Sequence, residues 1–199
     1  MANANNPRGL VPYRRYDGSV WNGSANIYYV ASGTATNIFP GDPLIPSGTS
    51  DANGIPGVIL ATGGDSNYTL GPMVGIVNGG QPIITVLQNS PVYHPASTGQ
   101  YILVADDPNL LFWAQEDSVG GSMSPNDSMS GVNLVSGTGN TYYGTSGWML
   151  DSSTVGTANK QCRLMRPLNE VDNVSDGTDS YTKWLVKINL HSVLNPAGI

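Results

Sequence analysis

Between Arg15 and Lys160 the chain contains no lysine and no arginine. Its eight basic residues sit at the two ends: Arg8, Arg14 and Arg15 at one, Lys160, Arg163, Arg166, Lys183 and Lys187 at the other. The 144 residues between them carry ten acidic groups. Such a body repels nucleic acid and copies of itself, while a short basic segment can still dock on an acidic surface. Cysteine is nearly absent too. Cys162 stands alone, which excludes an internal disulfide, and its apolar-alternating surroundings suit a buried small hydrophobe. With two glutamates and three lysines, good helix formers are scarce, and little α-helix is expected. No apolar run approaches the ~18 residues of a membrane span, and the first residues hold no apolar core of signal-peptide length. A protein made without export, in no contact with membrane, is the expectation.

Equally thin is the inventory for catalysis. His94 and His191 are the two histidines. No Gly-x-Ser-x-Gly elbow, phosphate loop or dinucleotide fingerprint occurs. Two histidines and one cysteine without paired spacing do not build a zinc cluster. Asp51-Ala52-Asn53-Gly54 starts like a calcium loop but lacks its sixth-position glycine and twelfth-position glutamate, so it reads as a hairpin turn. Asp106-Asp107-Pro108-Asn109 reads as an Asx-type turn closing a strand. Glu116-Asp117 beside Phe112-Trp113 is the one place where an acid could sit near apolar surface, and a strand end is the simpler reading. The chain is therefore expected not to be an enzyme and to need no cofactor or metal.

Present in quantity are the makers of short strands and tight turns. Glycine (25) and proline (14) make up about a fifth of the 199 residues, while only 11% are charged. From Trp21 onward, turn signals such as Asn22-Gly23, Asn53-Gly54 and Gly120-Gly121 recur every 8 to 15 residues. Between them lie strand candidates at 26–30, 58–62, 73–77, 83–88, 101–105, 111–116, 148–151 and 161–166. This spacing predicts an all-β barrel or sandwich of many short antiparallel strands. Over 183–191, Trp184, Val186, Ile188 and Leu190 alternate with Lys183, Lys187, Asn189 and His191, interrupted by Leu185. A half-buried strand gives that period of two. Residues 117–147, small and polar, read as a long loop and mark a weak subdivision of the domain at 17–199.

Residues 1–16 contain Pro7, Gly9, Pro12, three arginines and two tyrosines, with neither strand nor helix period. An extended N-terminal arm, ordered only over a surface beneath it, is expected. Arginine and tyrosine carry much of the binding energy at interfaces. Arg8, Tyr13, Arg14, Arg15 and Tyr16 are accordingly the candidate partner-binding residues.

Several short blocks also resemble a family of tailed-bacteriophage virion proteins, the head-decoration or capsid-cement proteins. They are the opening Met1–Pro12 stretch with its Gly9-Leu10-Val11-Pro12 step, Gly41-Asp42-Pro43-Leu44, the turn at 104–108, Phe112-Trp113-Ala114-Gln115, Gly131-Val132-Asn133 and the strand at 186–191. The resemblance implies a β-rich homotrimer on the outer surface of the mature shell in the virion, made in the host cytoplasm. It would bind the major capsid protein through the arm and make no direct contact with nucleic acid. The alternative is a tail-associated or host-attachment module that binds carbohydrate, motivated by four tryptophans and ten tyrosines in a scaffold of low charge.

Overall fold

The computed structural model describes residues 3–77 and 92–195. Its strands are β1 (Val11–Arg15), β2 (Asn26–Val30), β3 (Pro43–Ser50), β4 (Pro56–Leu60), β5 (Gly71–Val77), β6 (Gln100–Val104), β7 (Leu110–Gln115), β8 (Gly131–Val135), β9 (Met149–Gly156), β10 (Cys162–Pro167) and β11 (Lys183–Ile188). Single 3-10 turns at Pro125–Asp127 and Ser192–Leu194 are the helical content among the described residues. The all-β expectation holds. The strand expected at 83–88 lies outside the described residues.

Two sheets form. Strands β2-β4-β3-β5-β6 close into a small barrel, and β1-β7-β11-β10-β8-β9 make a six-stranded antiparallel sheet. Turn chemistry accounts for the hairpins. Asp51 Oδ1 accepts from the N–H groups of Asn53 (2.9 Å) and Ile55 (2.7 Å), while Gly54 supplies the positive φ that turns β3 into β4. Asp107 Oδ1 accepts from Asn109 N–H at 2.9 Å, the expected Asx turn before β7.

Each sheet buries its own core. Val30, Ile38, Leu44, Val58, Leu70, Met73, Ile102 and Val104 fill the barrel. Leu10, Phe112, Trp184, Val186, Ile188, Leu164, Val132 and Leu150 are among those packed under the sheet. Trp184, Val186 and Ile188 face inward as the alternation predicts; Leu190 and His191 lie beyond the end of β11. His191 is a correction to the expected polar face. It is buried, caps the last turn by accepting from Val193 N–H at 3.2 Å, and bridges to Thr69.

Gln161 joins barrel to sheet. Its fully buried amide accepts from Gly64 N–H (3.0 Å) and Leu134 N–H (3.1 Å) and donates to Thr62 O (3.0 Å) and Thr69 Oγ1 (3.3 Å). A glutamine amide can make about four hydrogen bonds, and here all are made.

Three expectations need correction. First, of the arm expected at 1–16, the described residues 3–16 are not a separate arm. Residues 11–15 form β1 at the edge of the six-stranded sheet, where a proline costs no ladder bond on the open side. Leu10 is fully buried, Gly9 N–H donates to Trp148 O (3.1 Å) and Leu10 N–H to Gly41 O (2.9 Å). Gly9 and Gly41, both at positive φ, cross so closely that a Cβ on either would collide with the other segment's backbone. Deleting residues 2–16 would remove a strand and a core side chain. Second, 117–147 is not one long loop, because β8 lies within it, paired with both β9 and β10. Third, the architecture divides between β6 and β7, not at 117–147. Strand β3 had no sequence signal because Pro43 and Pro46 disguise it as a turn.

Trp184→Ala should cost about 3–5 kcal/mol in denaturant unfolding, and a loss below about 1 kcal/mol would contradict its place in the core. Gln161→Leu strands four buried polar groups and should cost at least about 3 kcal/mol by the same measurement.

Candidate functional site

Four of the five candidate residues lie along one edge of the six-stranded sheet. Tyr13 is exposed at the irregularity in β1, Arg14 is half-buried opposite Leu111, and Arg15 stands opposite Leu110 with its guanidinium 3.5 Å from Asp107. Tyr16, just past the strand, is exposed, and the Lys187 ammonium sits 5.0 Å from its ring centroid. Arg8 is set apart: exposed, it lines a cleft with Tyr143 at the junction with the barrel.

The sheet also collects basic residues from the far end of the chain. Register places Arg14 opposite Leu111, Leu111 opposite Lys187 and Lys187 opposite Arg163, so one row crosses β1, β7, β11 and β10. The next row runs Val11, Trp113, Leu185, Arg166. Two bulges make this possible. Residues three apart on a regular strand face opposite ways, yet Val11 and Arg14 share a face, as do Arg163 and Arg166. The register slips between Pro12 and Arg14, and again between Leu164 and Arg166. These rows are the outer face, opposite the face of Phe112, Trp184 and Val186. Leu185, the interruption in the alternation, belongs here. It is only 1% exposed, and Leu111 only 3%, as expected beneath the stems of long flanking side chains.

Ion pairing separates the eight cations. Arg15 pairs with Asp107, Lys160 with Asp65 at 2.6 Å, and Lys183 with Glu170 (3.2 Å) and Asp172 (3.1 Å). Among the described residues, Arg8, Arg14, Arg163, Arg166 and Lys187 make no ion pair, and the last four of these lie on the six-stranded sheet. The barrel strands and their described connections hold Asp42, Asp51 and Asp65 and no cation. The cations are thus gathered on the side of the six-stranded sheet, where most of the acidic groups lie as well. Sequence reasoning singled out only the N-terminal half of this face; the lysines of β11 were signalled by alternation, but nothing local predicted that Arg163 and Arg166 would join them.

Next to the face lies a cleft of about 490 Å³ lined by Trp21, Trp113, Tyr143, Arg8, Pro12 and Val74 among others. Tyr142 and Tyr143 pack edge to face, centroids 4.8 Å apart, on a loop held by Asn140 Oδ1, which accepts from both their N–H groups.

Titratable groups inside the protein are committed to structure. Glu116 is buried and accepts from Met123 N–H (2.7 Å) and Thr182 N–H (3.2 Å); burial raises its pKa. It stitches the segment after β7 to the segment before β11 and does not line an acid pair. His94 is buried against Thr98 O at 2.8 Å, and burial lowers its pKa, as it does for His191. Burial pushes the Cys162 thiol up to about 12, leaving it unreactive at neutral pH. Among the described residues, no group of histidine, cysteine, aspartate and glutamate is arranged to hold a metal ion.

Comparison with protein-family models, with curated proteins and with solved structures gives no match for this chain.

Asp42, beneath the crossing of Gly9 and Gly41, is the most perturbed acid. Burial pushes its pKa up to about 6, and the Ser146 hydroxyl and Phe39 N–H, which favour the charged form, offset only part of that. A carboxyl raised on folding holds its proton longer in the folded state, so its contribution to stability falls as pH rises from about 4 to about 6. Asp42→Asn removes this contribution. The difference in unfolding free energy between variant and wild type should shift in the variant's favour across that window, and a constant difference would refute the assignment.

Proposed function

We propose that this chain is a capsid decoration protein of a tailed bacteriophage, binding the major capsid protein on the outer surface of the mature shell, as a homotrimer and without catalysis. The observation that carries the reading is the outer sheet face, where Arg14, Arg163, Arg166 and Lys187 stand unpaired beside Tyr13 and Tyr16 while the rest of the body is acidic. Long-range attraction by a cationic face and repulsion elsewhere orient a protein as it lands on a surface. Many identical sites on a shell then turn modest individual affinity into firm occupancy. The short sequence blocks that resemble the decoration family support the same reading. Two of them meet in space, where Gly9-Leu10 crosses Gly41-Asp42.

A second reading, a carbohydrate-binding module of the tail or host-attachment apparatus, draws on the cleft of Trp21, Trp113 and Tyr143, because aromatic faces stack on sugar rings.

Co-sedimentation with expanded and unexpanded phage shells separates the two. The decoration reading expects saturable binding to the expanded shell alone, weakened by Tyr13→Ala without loss of fold. Binding to neither shell, together with glycan binding that Trp113→Ala abolishes, would replace it with the second reading.

A further inference from the structure

We infer that the outer face of the six-stranded sheet is a docking surface for an acidic polypeptide segment that also carries apolar side chains, laid across the row Arg14, Lys187, Arg163. This deepens the decoration reading and rests on it only for the identity of the partner. Four observations carry it. The row spans three strand spacings, roughly 14 Å, the length of about four residues of extended chain. Its three cations, and Arg166 in the next row, lack the carboxylate partners that Arg15, Lys160 and Lys183 possess. Two separate bulges turn Arg14 and Arg166 onto this face, so the gathering of charge depends on irregular backbone at two places. Finally, the row opens at β10 into a groove of about 220 Å³, where Arg163 and Lys187 share the walls with Tyr16, Met129, Met165 and Leu194.

That mixture selects the partner's chemistry. Carboxylates satisfy arginine by paired hydrogen bonds. Methionine and leucine walls reward an aliphatic neighbour, with methionine adapting its shape to it. A nucleic acid would bring regular phosphates and gain nothing from the apolar walls. It would also meet an acidic body, on a chain of formal net charge −6. Surface attraction alone contributes little per pair, so the affinity comes from several cations acting on one segment together with apolar contact.

The test uses the full chain and a fluorescent peptide of alternating glutamate and leucine, with short duplex DNA as the competing probe, measured by anisotropy at low and physiological salt. Arg163 is exposed and Lys187 half-buried on this face, so R163E/K187E should keep the fold, checked by thermal unfolding. The expected result is peptide binding by the wild type, weakened about tenfold or more by R163E/K187E and kept within about twofold by R163K/K187R. Peptide binding unchanged in R163E/K187E, absent in the wild type, or weaker than binding to the duplex would overturn the proposal. Shell binding by the same variants distinguishes the two readings. Shells that fail to bind a protein whose peptide binding depends on the row remove the decoration reading alone. Shells that bind R163E/K187E as well as wild type remove this surface and leave the decoration reading standing.

Discussion

Gln161 carries a constraint on which the rest of the protein depends. Barrel and sheet each have a core, but two β units with separate cores need a reason to stay in one orientation. The Gln161 amide supplies it, spanning from Thr62, Gly64 and Thr69 on the barrel side to Leu134 in β8, with every donor and acceptor used. Its own carbonyl accepts from the N–H groups of Asn189 and Leu190, so the chain leaving β11 is tied to the same point. A buried amide with all its bonds made fixes orientation more sharply than apolar contact, because any slip leaves a polar group without a partner in a place that water cannot reach.

A second tie, at the opposite end of the chain, is made of backbone alone. Gly9 and Gly41 cross at a distance that no side chain would permit, and Leu10 drops into the core of the sheet just beyond. Asp42 sits under that crossing in a site that disfavours its charge. The N-terminal segment is thus held in place before β1 begins, which is why its arginines and tyrosines stand on a rigid sheet edge instead of a mobile tail. For binding, this has a definite consequence. A surface already ordered loses little conformational entropy on association, whereas a free arm would lose about 1–2 kcal/mol per backbone residue fixed.

The register of β11 translates packing into surface chemistry. Held between β7 and β10, it turns Trp184, Val186 and Ile188 inward and presents Lys187 between Arg14 and Arg163 outward. The same alternation that buries the core therefore writes the charge of the outer face. The bulges in β1 and β10 complete it, since without them Arg14 and Arg166 would point the other way.

Much of this was legible in the residues themselves. Scarce helix formers, regular Gly, Asn and Asp turns and the alternation around Trp184 determined an all-β chain and most of its strands, because those signals are local: a turn depends on the φ its residue allows, and a strand face on a period of two. Strands β1, β3 and β8 escaped because Pro12, Pro43, Pro46 and the surrounding glycines and serines mimic loops, and long-range pairing overrides local preference. The charge split was also plain in the sequence, but its meaning was not. Arg14, Arg163 and Arg166 come to one face only through two intervening strands and two bulges. Pairing over such separations is set by which cores can close together, a property of the folded whole that no window of sequence contains.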